Sequence, residues 1–104
     1  MIMIVIGVKP AAVATGAASG LGQSLCRILE GAGWRVGGID RRASPELTHS
    51  AEAADVTDAV AVQDAVDGLS AKLGRLDALA VCAGISPSPA LPTHALALDD
   101  WHRT

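Results

Sequence analysis

Thr15-Gly16-Ala17-Ala18-Ser19-Gly20-Leu21-Gly22 stands between a short apolar run, Ala11–Ala14, and a helical pattern that starts at Leu21. Each glycine in it has a separate physical use. Gly16 lets the chain turn tightly after a strand. Gly20 removes a side chain where a pyrophosphate would approach, and Gly22 lets the helix pack closely on the sheet. The helix N-terminus then offers unpaired N–H groups and the positive end of its dipole to phosphates. Ser19 adds a hydroxyl donor and Leu21 lies in the same turn. A glycine triplet alone also serves simple packing. Here a strand precedes it, a helix follows, and an acid closes the next strand.

Working outward, Leu21, Leu25, Ile28, Leu29 and Ala32 recur at helical spacing, and Gly31 and Gly33 supply stop signals. Trp34–Asp40 reads as a second strand, with Gly37 and Gly38 permitting close packing of a helix. Its terminal Asp40 can accept both hydroxyls of an adenosine ribose and repels a 2′-phosphate, which favours NAD over NADP. Arg41 keeps NADP open, since a guanidinium there could stack on adenine or reach a phosphate. Arg41–Ala53 is polar and irregular, with Ser44-Pro45 as a turn signal and room for a short helix. Ala54-Asp55-Val56 is expected to be a third strand. Thr57 or Asp58 caps a helix striped by Val62, Val66, Leu69 and Leu73 and ended by Gly74. Leu76–Ala83, broken only by Asp77, reads as a strand buried on both faces. Ser86-Pro87-Ser88-Pro89 and Pro92 make a loop, and Leu98–Trp101 begins a further helix.

This alternation predicts an α/β fold, a Rossmann-type doubly wound parallel sheet with strand order 3-2-1-4, in a single domain over residues 1–104. The fourth strand would lie at an edge although its run Leu79-Ala80-Val81-Cys82 is written for two neighbours. An exposed apolar edge is an aggregation hazard, so the chain is expected to be the N-terminal part of a larger Rossmann domain.

Composition excludes several classes. The 104 residues include no tyrosine and no phenylalanine, so no phenol can act here as acid or base. A hydrophobic share of 50% with a net charge of −3 describes a globular chain without the clustered basic residues of a nucleic-acid site. Met1–Val8 is apolar but too short to span a bilayer, and reads as a short strand or an extension from a misplaced start. Cys26 and Cys82 are expected to be buried free thiols in a reducing cytoplasm, and no C-x-x-C pair suggests zinc. His49, His94 and His102 lack a recognised ligand spacing and are expected at the surface, so no metal is expected. A P-loop is missing, no nucleophile–His–Asp set is visible, and methyltransferases place their glycines differently.

Thr15-Gly-x-x-x-Gly-x-Gly22 resembles the cofactor signature of the short-chain dehydrogenases/reductases, and the resemblance runs from Pro10 to Thr104. It implies that Asp55 and Val56 form the adenine pocket, a carboxylate toward the exocyclic amine and a backbone N–H toward the ring. The family's fourth strand usually ends Asn-Asn-Ala-Gly, where this chain has Val81-Cys82-Ala83-Gly84. The Ala-Gly pair keeps backbone approach to the nicotinamide-side ribose, with Cys82, Ala83 and Gly84 as contacts. Asp100-Trp101 is similar to the family's entry into its next helix. The implied chemistry is hydride transfer between a nicotinamide dinucleotide and a small-molecule alcohol or ketone, in the cytoplasm, by a homo-oligomer when full length. The family moves its proton with a Ser, a Tyr-x-x-x-Lys and a helix Asn, expected beyond Thr104. Lys9 and Lys72, the chain's two lysines, match none of these, so no catalytic residue is assigned here. Ser86 and Ser88 are read as turn residues. The alternative is a non-catalytic dinucleotide-binding or interaction module.

Overall fold

The computed structural model describes residues 9–42, 50–85 and 90–103. Four parallel strands, β1 (Ala11–Thr15), β2 (Arg35–Asp40), β3 (Ser50–Ala53) and β4 (Ala78–Val81), form one sheet in the order β3-β2-β1-β4. The expected 3-2-1-4 order is therefore observed. Helix α1 (Gly20–Gly31) connects β1 to β2, and α2 (Ala59–Leu73) connects β3 to β4. A 3-10 turn at Thr93–Ala95 and the short α3 (Leu98–Arg103) follow.

Strand alternation sends successive β1 side chains to opposite faces, and each face carries its own core. On one side Ala11, Val13, Ile39 and Ala54 pack against Ala65, Leu69 and Leu73 of α2. On the other Ala14, Ala17 and Val36 pack against Cys26 of α1, with Leu29, Trp34 and Ala80 at its margin. Burial of Ile39, Leu69 and Leu73 contributes about 1.5–3 kcal/mol each. Small residues let the helices come close. A Cβ added at Gly37 would lie 3.0 Å from Leu69 Cδ2, so this glycine serves the packing of α2.

The ends of α2 follow from its sequence. Asp58, not Thr57, is the N-cap, accepting the Ala61 N–H at 3.1 Å. Gly74 closes the helix in the left-handed region, φ +77, where a side chain would be strained. Arg35 at the start of β2 donates to the carbonyls of Leu73 (2.5 Å) and Lys72 (3.1 Å), satisfying groups the helix end leaves free.

Several expectations are corrected. The third strand is Ser50–Ala53, not Ala54–Val56, and residues 50–53 are strand within the stretch that the sequence leaves open to a short helix. Strand β3 sits at the sheet edge, where the exposed Lys72–Glu52 pair (2.7 Å) is tolerated, so it lacks an apolar signature. The buried face of α1 is Gly22 and Cys26, while Leu21 and Ile28 are 75% and 67% exposed. Ala65 takes the buried place given to Val62, and Val66 is partly buried. Strand β4 is not covered on both faces: Leu79 and Val81 project to one face and are 57% and 74% exposed, because α2 packs over β1, β2 and β3 rather than over β4, which lies at the sheet edge. Cys82 is half-buried, whereas Cys26 is fully buried. Readings of Met1–Val8, Ser44-Pro45, His49 and the Ser86–Pro89 loop lie outside the described residues. His94 and His102 are exposed, and no described helix is long and apolar enough to cross a membrane.

Candidate functional site

The turn after β1 is shaped by backbone contacts. Gly16 has φ +67, and a Cβ there would stand 2.9 Å from the Ala83 Cα and N and from the Cys82 carbonyl carbon. Its glycine is thus required both by the turn and by the close passage of the chain leaving β4. A Cβ on Gly22 would lie 2.1 Å from the Gly16 carbonyl oxygen, so α1 packs on the turn itself. Gly20 differs: φ is +56, and a Cβ would meet nothing within 4 Å. It borders open space.

The N-cap of α1 is Ser19, whose side chain makes no capping bond. The first N–H engaged is that of Gln23, on the Ser19 carbonyl at 3.3 Å. Among the described residues the N–H groups of Gly20, Leu21 and Gly22 therefore have no partner, the arrangement that suits an anion.

Asp40, half-buried at the end of β2, reaches back to this turn, and its Oδ2 accepts the Ala18 N–H at 3.1 Å. Arg41 is exposed, with Nε 4.0 Å from Asp55 Oδ2. Asp55 lies just past β3 and accepts from the Thr57 N–H (3.0 Å) and hydroxyl (2.8 Å). Those two bonds, with a smaller contribution from Arg41, hold its carboxyl below the usual range.

At the end of β1 the buried Thr15 hydroxyl accepts the N–H groups of Cys82 (3.1 Å) and Ala83 (3.2 Å), fixing the chain where it leaves β4. Asp77 does the same at the other end of the pair, accepting from Ala11 N–H (2.8 Å) and from Arg75 Nε (2.7 Å). Arg75 foremost, then Ala11 N–H, keeps the Asp77 carboxyl below its ordinary value. Burial, with the Glu30 charge nearby, pushes the Cys26 thiol up.

Between the carboxyl ends of β1 and β4, at the switch in strand order, these parts enclose a groove of about 630 Å³. From the first turn it takes Gly16, Ser19, Gly20 and Leu21; from the ends of β2 and β3, Asp40, Arg41, Asp55 and Val56; from the end of β4, Cys82, Ala83 and Gly84. Gly22 alone of the candidate residues lies beneath the groove rather than on its wall. A neighbouring recess of about 590 Å³ shares Ser19, Asp40 and Arg41 and adds Ala18 and Arg42. The sequence reading missed Ala54, Thr57, Ile85 and Arg103 on the wall, and Thr15 behind it. Thr15 had a signal, being the one polar residue in an otherwise apolar strand. Arg103 had none, because α3 lies far along the chain.

The fold and groove define a Rossmann-type α/β protein with a glycine turn at its switch point. The family model described as short chain dehydrogenase matches residues 10–104, and the chain belongs to the short-chain dehydrogenase/reductase family. It is 35% identical to D-threitol dehydrogenase of Mycolicibacterium smegmatis, over 89% of this chain and 39% of that protein. It is 34% identical to 1-deoxy-11-beta-hydroxypentalenate dehydrogenase of Streptomyces avermitilis, over 88% and 38%. A 3-ketoacyl-(acyl-carrier-protein) reductase from Brucella melitensis complexed with NADH superposes with a TM-score of 0.78 at 27% identity, over 90% of this chain and 41% of the other. Carveol dehydrogenase from Mycobacterium avium in complex with NAD gives 0.78 at 25% identity, over 90% and 42%. The chain thus spans about two fifths of the length of the curated relatives it matches.

Proposed function

We propose that this chain is the dinucleotide-binding half of an NAD(P)-dependent oxidoreductase and that NAD is its preferred cofactor. One observation carries the reading: the free N–H groups of α1, the Asp40 carboxylate, Asp55 and the backbone of 82–84 converge on a single groove. The uncapped helix start meets the pyrophosphate, with Gly20 leaving it room and Ser19 offering a hydroxyl. Asp40 accepts the adenosine ribose hydroxyls and repels a 2′-phosphate. Asp55 and Val56 flank the adenine, and Ala83 and Gly84, held in place through Thr15, border the nicotinamide-side ribose.

The bound dinucleotide supplies the hydride chemistry. This chain's residues bind and orient; none is assigned to proton transfer, and the alcohol or ketone meets residues of the larger domain. Among the described residues β4 has a strand on one side only, and Leu79 and Val81 are uncovered on its face, which favours further strand and helix from that domain packing here. Calorimetric titration of NAD and NADP into the parent and Asp40→Ala tests the assignment. The expected result is tighter binding of NAD by the parent and a narrowed preference in the variant. Equal affinity of the parent for both cofactors removes Asp40 as the discriminator.

A further inference from the structure

We infer that Asp40 is also a positioning residue: its carboxylate holds the glycine turn in the shape that exposes the α1 N–H groups. The ligand-binding part of this inference rests on the dinucleotide reading above; the tether itself does not.

The turn carries two left-handed glycines, Gly16 and Gly20, and glycine-rich backbone loses the most freedom when it is fixed. Two consecutive N–H groups fasten it to the last two residues of β2. Ala17 donates to the Ile39 carbonyl at 3.3 Å, and Ala18 donates to Asp40 Oδ2 at 3.1 Å. Among the described residues the one other bond to Ala18 runs from Gln23 Nε2 to its carbonyl, at 3.4 Å, and it is longer. Asp40 is therefore the side chain whose loss releases the turn.

One carboxylate oxygen is committed to the protein, and Oδ1, without a partner among the described residues, is left for the ribose. Charge and position become separable. Asparagine keeps an acceptor oxygen at that place without the charge. Glutamate keeps the charge but carries the oxygen one methylene further out. Alanine loses both.

Amide hydrogen exchange of the ligand-free protein, read beside NAD and NADP affinities for Asp40→Asn, Asp40→Glu and Asp40→Ala, separates the two roles. In Asp40→Ala and Asp40→Glu the Ala18 amide should exchange about tenfold faster or more, while Asp40→Asn stays near the parent. NAD affinity should fall about tenfold in Asp40→Asn and further in Asp40→Ala, and NADP should gain most in Asp40→Asn. If Asp40→Ala unfolds, the contrast between Asp40→Glu and Asp40→Asn decides. Ala18 exchange that is the same in all three variants and the parent overturns the inference. Faster Ala18 exchange in Asp40→Ala and Asp40→Glu alone, in a protein that binds neither cofactor, upholds the tether and refutes the dinucleotide reading.

Discussion

Replacing Gly22 by alanine adds one carbon where the structure has no room for it. The new Cβ would stand 2.1 Å from the Gly16 carbonyl oxygen, 2.7 Å from its carbon and 3.1 Å from the Thr15 oxygen. All three are backbone atoms, so no side-chain rotation relieves the contact. Ordinary separation requires α1 to retreat by about 1 Å from the turn it packs on, opening the Cys26 layer beneath. Overpacking of a rigid site costs about 1–3 kcal/mol, and a wholly backbone clash belongs at the upper end. Better helix propensity returns at most about 1 kcal/mol, which leaves a net loss of about 2 kcal/mol. For a domain of this size that lowers Tm by about 8–16 °C. Thermal unfolding followed by far-UV circular dichroism reads the shift. Gly31→Ala is the matched control, in the same helix with nothing within 4 Å of the added carbon. It should be neutral or slightly stabilising. If Gly22→Ala melts with the parent, helix-to-turn packing is not what this glycine is for.

Other expectations follow from the same contacts. Thr15→Val keeps the shape but leaves the Cys82 and Ala83 N–H groups unpaired, which should cost about 2 kcal/mol in urea denaturation. An unchanged midpoint would show that water replaces the hydroxyl. Gly20→Ala meets no atom but forces a side chain into the left-handed region, so it should cost about 1–2 kcal/mol. Gly20→Val should in addition abolish NAD binding with helix content retained, and retained affinity on calorimetry would remove Gly20 from the groove wall. Asp77 titrates below its unfolded value, so the stability it contributes is present above about pH 4 and is lost as pH falls through the folded pKa. Asp77→Asn should therefore flatten the acid limb of the Tm-against-pH profile, and an unaltered limb would count against the Arg75–Asp77–Ala11 link.

Much of the site could be read in the sequence because its determinants are local. Gly16 and Gly20 announce a left-handed turn and Gly22 a close approach of helix to turn, and Asp40 ends a strand that β-propensity and spacing mark. Contacts between distant segments were not legible. No local pattern says that Gly16 must make room for Ala83, or that Ala18 N–H will find Asp40. The misplacement of β3 has a different cause. An edge strand facing solvent can be Ser-Ala-Glu-Ala, whereas Ala54-Asp55-Val56 has the better strand pattern but turns into the groove. The apolar run that holds Leu79 and Val81 says that partners exist, not which segment supplies them. Leu21 and Ile28 fit the helical period yet face outward, because the small Gly22 and Cys26 define the side of α1 that can approach the sheet.

The central claim is that the groove between β1 and β4 holds a nicotinamide dinucleotide. Titration of NAD into the isotopically labelled protein, followed by amide NMR, tests it most directly. Saturable shifts should appear at Gly16–Gly22, Asp40–Arg41, Ala54–Thr57 and Cys82–Ile85, and leave the outer face of α2 unmoved. Absence of shifts at millimolar NAD, or shifts confined to another face, would contradict it.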